Sequence, residues 1–152
     1  MKNHWLLAAN GSQAIIYKHA DPHREPVELY TFQNEEARQH EHDITTDIPG
    51  RSFDSTSPHR HALTKEHSPK EQSIENFATQ IANFLEEKRK QAEVEWIILS
   101  GEPKFLGILN KKLSAPTKNI VIAEVDKDLV HLKPEKIKQV IFEKEGVEVP
   151  LQ

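Results

Sequence analysis

His40 and His42 stand two apart, as do His59 and His61, and His67 follows closely. Residues two apart share one face of a β-strand and can hold a metal there; on a helix they diverge. The chain has no His-Glu-x-x-His, and no acidic residue sits at a matching spacing. These histidines read as surface residues of a polar stretch, and neither a metal nor another cofactor is expected. Ser52, Ser55 and Ser57, with His59 or His61 and Asp54, supply the residue types of a nucleophilic triad. No Gly-x-Ser-x-Gly lifts a serine onto a strained turn. The members also crowd into one loop without rigid support. No catalytic residue is assigned.

Two groups remain. Arg51, Arg60 and His61 are cations of one loop, with Phe53 between them and Lys65 behind. Guanidinium groups beside an aromatic ring suit RNA phosphates and unstacked bases. Asp47, Asp54 and Glu66 dilute that charge, and Phe53 serves equally as an anchor onto the domain. The second group lies where strands end: Gly101, and the run Asp126-Lys127-Asp128. Ligand crevices of α/β sheets form at strand carboxyl ends, so these four residues mark a possible crevice. Their plainer reading is a strand-to-helix turn and an aspartate cap. Phosphate-binding Gly-x-Gly-x-x-Gly and Gly-Lys-Ser/Thr motifs are absent.

The elements that must position these residues follow from periodicity. Trp5-Leu6-Leu7-Ala8-Ala9 is a short apolar run, and Asn10-Gly11-Ser12 turns it into a second strand, Ala14-Ile15-Ile16-Tyr17. Val27 to Gln33 alternates, giving a third strand with two usable faces. The opening is a three-stranded antiparallel meander. Asn34 caps a charged, weakly helical stretch reaching Asp43. Residues 43–69 form a long polar loop. Ser68-Pro69-Lys70-Glu71 is then a capping box with proline at the first helical position. Ile74, Phe77, Ala78, Ile81, Ala82 and Leu85 make one apolar stripe on a helix over about 69–91.

The remainder reads as strand, helix, strand, helix: Glu95–Ser100, a helix from Pro103 that ends at Pro116, Asn119–Val125, and a last helix from Pro134. Two continuous apolar strands separated by helices point to a parallel pair covered on both faces. The fold class is α/β, a single domain over 1–152 with a mixed sheet. A chain of 152 residues suits one domain.

Composition narrows the function classes. Lys and Arg number 20 against 24 Asp and Glu, a net charge of −4. That argues against a generally basic nucleic-acid binder, though not against a local basic patch. Cysteine is absent, so disulfides and thiolate chemistry are excluded. No apolar run approaches the ~18 residues that span a membrane. The apolar opening is too short for a signal-peptide core of ~7–15 residues. A cytoplasmic protein without membrane contact is expected.

Several pieces taken together resemble one family. They are Trp5–Tyr17 (WLLAANGSQAIIY), Pro49–Ser55 (PGRSFDS), Arg60-His61-Ala62, the helix Glu71–Leu85, Pro103–Leu113 (PKFLGILNKKL), and Glu124–Leu129 (EVDKDL) followed by Val130-His131-Leu132. In this order they resemble the bacterial host attachment protein family, proteins required for attachment to host cells. Between Ser55 and Arg60 the chain has Thr-Ser-Pro-His where that family usually carries a glycine. The family is similar in turn to the middle domain of archaeal and eukaryotic peptide-release factors, whose tip loop carries Gly-Gly-Gln. The matching loop here, 43–69, has no Gly-Gly-Gln; Gln13 lies in the first hairpin.

The resemblance therefore implies a non-enzymatic, ribosome- or RNA-associated module in which Arg51, Arg60 and His61 face phosphate and Phe53 stacks or anchors. The alternative is an attachment or virulence factor acting through protein partners. A hydrolase working at Gly101 and Asp126 is a third reading. The partner's identity and the choice between monomer and homodimer stay open, although strand edges of the meander permit a dimer.

Overall fold

A computed structural model describes residues 3–37 and 68–150. The alternating apolar runs become strands β1 (His4–Ala9), β2 (Gln13–Lys18) and β3 (Val27–Gln33). After 38–67 come helix α1 (Pro69–Lys90), strand β4 (Trp96–Gly101), helices α2 (Pro103–Lys112) and α3 (Ala115–Asn119), and strand β5 (Val121–Val125). Helix α4 (Pro134–Lys138) runs directly into a π-helical segment, Gln139–Lys144.

The strands form one mixed sheet in the order β3-β2-β1-β4-β5. β1 pairs antiparallel with β2, and β2 with β3. β4 lies parallel to both β1 and β5. The meander and the α/β half thus share a single sheet, as the residue pattern implies. These pairings send the carboxyl ends of β1, β3, β4 and β5 to the same end of the molecule.

β1 is central, and every residue of it is buried. Its side chains alternate between two cores. Trp5, Leu7 and Ala9 join Phe77, Ile81, Leu85, Phe105 and Leu109 beneath α1 and α2. Leu6 and Ala8 join Ile98, Val125, Leu129, Ile137 and Ile141 beneath the C-terminal segment. Fully burying each such Leu or Ile contributes roughly 1.5–3 kcal/mol, so this strand is the main reason the two halves hold together.

Helix α1 starts where its capping residues place it. The Ser68 hydroxyl accepts from the Glu71 N–H at 3.1 Å, and Pro69 fills the first turn. Lys88, Arg89 and Lys90 close the last turn, where cations complement the helix dipole. Its apolar stripe is buried from Phe77 to Leu85, but Ile74 is only half-buried and Ser73 takes the enclosed place beside it. Tyr30 and Phe32 of β3 meet Phe84 edge-on at 4.8 and 5.0 Å, which ties the sheet edge to the helix.

Three elements differ from the sequence reading. Pro116 opens a short helix rather than ending one, because Ser114 caps it by accepting the Thr117 N–H at 3.2 Å. β5 starts at Val121 and is an edge strand whose residues 121–124 alternate between half-buried and exposed, with only Val125 buried, so only one half of the expected parallel pair is fully enclosed. The helix from Pro134 widens after one turn. The Glu145 N–H reaches back five residues to the Val140 carbonyl at 2.8 Å, in the π pattern. An apolar run constrains which side is buried but does not set the number of residues per turn.

Candidate functional site

Four connections meet at the shared carboxyl end of the strands. The turn after β1 is fixed by Asn10, whose Oδ1 accepts from the Ser12 and Gln13 N–H groups at 2.8 and 2.9 Å. Asparagine offers its backbone this local turn, and so ends a strand in place of continuing it. The other end of the same amide donates to Asp128 Oδ2 at 3.0 Å, across the end of β4.

Asn34, 6% exposed, is the second tie. Its Nδ2 donates to the Gly11 carbonyl at 3.0 Å and to the Ser73 carbonyl at 3.2 Å. Its Oδ1 accepts from the Ala37 N–H at 3.3 Å, capping a helical turn at 35–37. Its own N–H donates to the Ser12 carbonyl at 2.8 Å. One amide therefore joins the β1–β2 turn, the exit of β3 and the first turns of α1. The chain leaves the described residues at Ala37 and returns at Ser68, so this knot stands at the base of 38–67.

Gly101 ends β4 where β1 passes closest. A Cβ there would lie 2.8 Å from the Ala9 carbonyl oxygen and 3.1 Å from Leu106. Backbone cannot yield at that distance, so glycine is required for packing. The Glu102 carboxylate then accepts from the Lys104 and Phe105 N–H groups at 2.9 and 3.1 Å. The first-turn amides of α2, which could face an anion, are engaged by the chain's own side chain.

Asp128 receives the Asn10 amide and the Val130 N–H at 3.4 Å, which makes it a cap of the loop after β5. Lys127 pairs with Glu145 at 2.8 Å, and Asp126 is exposed. The structure thus brings Gly101 and Asp126-Lys127-Asp128 to one end, where Gly101 packs against β1, Lys127 is ion-paired and Asp128 caps a loop. Arg51, Phe53, Arg60 and His61 lie outside the described residues. So do His40, His42, His59 and His67, and the serines of the imagined triad. Among the described residues no group of three His, Asp or Glu side chains is placed to hold a metal ion. No described helix is long and apolar enough to cross a membrane.

Beside these residues lies a hollow of about 240 Å³ between the first turns of α1 and α2. Ile74, Phe105 and Ile108 give it an apolar interior, and Glu71, Glu75, Glu102 and Lys104 form its rim. The sequence does not reveal it, because Ile74 falls on the α1 stripe and reads there as core. Its i+3, i+4 spacing assigns a side of the helix, not what covers that side.

Two titratable groups stand elsewhere. His4, 3% exposed, stacks on Trp96 with ring centroids 4.1 Å apart. Burial lowers its pKa below the ordinary histidine value, opposed by Glu95 at 3.8 Å. Glu86 of α1 accepts from the Ser114 and Thr117 hydroxyls, each at 2.7 Å, and from Arg89 at 2.8 Å. The Arg89 hydrogen bond, then those two hydroxyls, hold its pKa down to about 2. This cluster fastens the end of α1 to α3, far from the crevice.

A search of curated proteins gives no match. A family model does match, over residues 5–141, from β1 into the π-helical segment. The family is described as "Protein required for attachment to host cells", and this chain belongs to it.

Proposed function

We propose that this protein serves host attachment indirectly, as a non-enzymatic module that binds RNA or the ribosome in the cytoplasm, in the manner of a release-factor middle domain without Gly-Gly-Gln. The observation that supports this most is the Asn34 knot. It joins the exit of β3, the β1–β2 turn and the start of α1, and so gives 38–67 a rigid base at one end of the sheet. That segment carries Arg51, Phe53, Arg60 and His61. It occupies the same place in the element order as the tip loop of the release-factor domain that the sequence resembles. Arg51, Arg60 and His61 would contact phosphate, and Phe53 would stack on a base.

The test is an RNA- and ribosome-binding comparison of the native protein with Arg51→Ala/Arg60→Ala. The double variant is expected to bind more weakly and to lose part of the salt dependence, by about 0.7 per phosphate contact removed on single-stranded RNA. Unchanged affinity and slope would remove these residues from the account.

A second reading, attachment through a protein partner, is favoured by the apolar hollow between α1 and α2. It predicts binding to a protein with weak salt dependence and no binding to ribosomes. Gly101, Asp126, Lys127 and Asp128 remain the place to look for a small ligand at the strand ends. An activity lost in Asp126→Ala would assign one.

A further inference from the structure

We propose that Asn10 is a modification site: its side-chain amide deamidates through a cyclic imide with Gly11, and the carboxylate left behind releases the tie to Asp128. The sequence supplies the reactive pair, since Asn10 is the one asparagine of the chain that precedes glycine. With no Cβ, glycine leaves its backbone nitrogen unhindered and its dihedrals free to reach an approach that other residues resist. Both residues are only half-buried, which leaves the turn open to water.

The contacts of the turn converge on that one amide. Asn10 Oδ1 accepts from the Ser12 and Gln13 N–H groups at 2.8 and 2.9 Å. Two backbone donors on this oxygen polarise the Cγ carbonyl and stabilise the negative charge that the oxygen takes up when Cγ is attacked. The Gly11 N–H donates to nothing among the described residues, so the nucleophile loses no hydrogen bond by reacting. On the leaving side, Asn10 Nδ2 donates to Asp128 Oδ2 at 3.0 Å, which sets a proton carrier against the departing nitrogen.

The reaction needs only water. Gly11 N gives its proton to a solvent base and its electron pair to Asn10 Cγ. The Cγ–Nδ2 bond breaks, and Nδ2 leaves as ammonia with a proton delivered through water and Asp128. Water then opens the imide. Breaking the new N–Cγ bond leaves aspartate at position 10, and breaking the original peptide C–N bond leaves isoaspartate. Either product has a carboxylate in place of the Nδ2 donor, so the hydrogen bond across the end of β4 becomes a like-charge contact. The link between the β1–β2 turn and the loop after β5 is lost for good. None of this depends on what 38–67 binds.

The test incubates the native full chain, and the same chain unfolded in denaturant, near neutral pH. Residue 10 is followed by peptide mass spectrometry and isoaspartate-specific methylation. Conversion at Asn10 in the folded chain is expected to equal or exceed that in the unfolded chain, with the other asparagines intact. Asp128→Asn, which keeps an acceptor of the same shape, should slow conversion by about ten-fold or more. Asn10→Asp supplies the product directly. It should speed hydrogen exchange of the Val130 N–H, which Asp128 holds at 3.4 Å, by about ten-fold. Conversion slower in the folded chain than in the unfolded one, or undiminished in Asp128→Asn, would overturn the modification. Unchanged exchange at Val130 would overturn the release.

Discussion

Asn34 concentrates more architecture than any other polar side chain of the described crevice. Its amide is buried and uses both ends, so Asn34→Ala leaves the Gly11 and Ser73 carbonyls without that donor and the Ala37 N–H without its cap. A lost buried partner costs about 1–3 kcal/mol. Urea unfolding of Asn34→Ala should show a loss in that range; a loss below about 0.5 kcal/mol would deny the knot its structural weight. The sequence announces Asn34 as a cap, because asparagine before two glutamates is a helix-start pattern. The donors' targets are 23 and 39 residues away, which no local pattern encodes.

His4 and Glu86 act on stability through pH. Burial lowers the pKa of His4, and burial with Arg24 and Lys18 lowers that of His19. The native state therefore binds fewer protons than the unfolded chain. Stability is complete above the ordinary histidine value of about 6.5 and declines as pH falls below it. Glu86, held near 2, contributes stability above the ordinary carboxylate range that is lost as pH falls toward 2. The urea midpoint should thus be flat from pH 8 to 7 and drop from 6.5 to 5. His4→Phe, which retains a ring against Trp96, should flatten that drop. The same drop in the variant would place the titration elsewhere.

At the scale of elements, β1 and β4 must approach closely enough for Gly101 to meet the Ala9 carbonyl. Gly101→Ala places a methyl against backbone and is expected to destabilise by about 1–3 kcal/mol, the usual cost of overfilling a packed site. Thermal unfolding of the variant measures this, and a neutral result would mean that the strand pair can open at its end. The elements themselves are largely legible in the sequence. Continuous apolar runs became β1 and β4, alternation became β3, and the capping box with its stripe became α1. Legibility fails where long-range packing decides. The edge position of β5 depends on what flanks it, and the π widening after Lys138, where Val140 and Ile141 are buried in the second core, has no local signature in the sequence. The hollow arises because α1 and α2 do not close over Ile74, a relation between two helices 34 residues apart at their starts.

For the whole molecule, a net charge of −4 sets the terms on which it can meet RNA. Binding has to come from a local group of cations against general repulsion, so it must be weak at high salt. The described surface near the crevice is acidic. On the proposed reading, Arg51, Arg60 and His61 are the cations that would meet RNA phosphate. Family membership was legible from short pieces distributed along the chain, and the matched span confirms it. The site was legible only as residue types: sequence placed Gly101 and Asp126-Lys127-Asp128 at strand ends, and structure shows the contacts made by Gly101, Lys127 and Asp128. The most direct measurement is co-sedimentation of the native protein with ribosomes from the organism that makes it, across a salt series. The account predicts association at low salt that falls steadily as salt rises. No association at low salt, or association indifferent to salt, would contradict it.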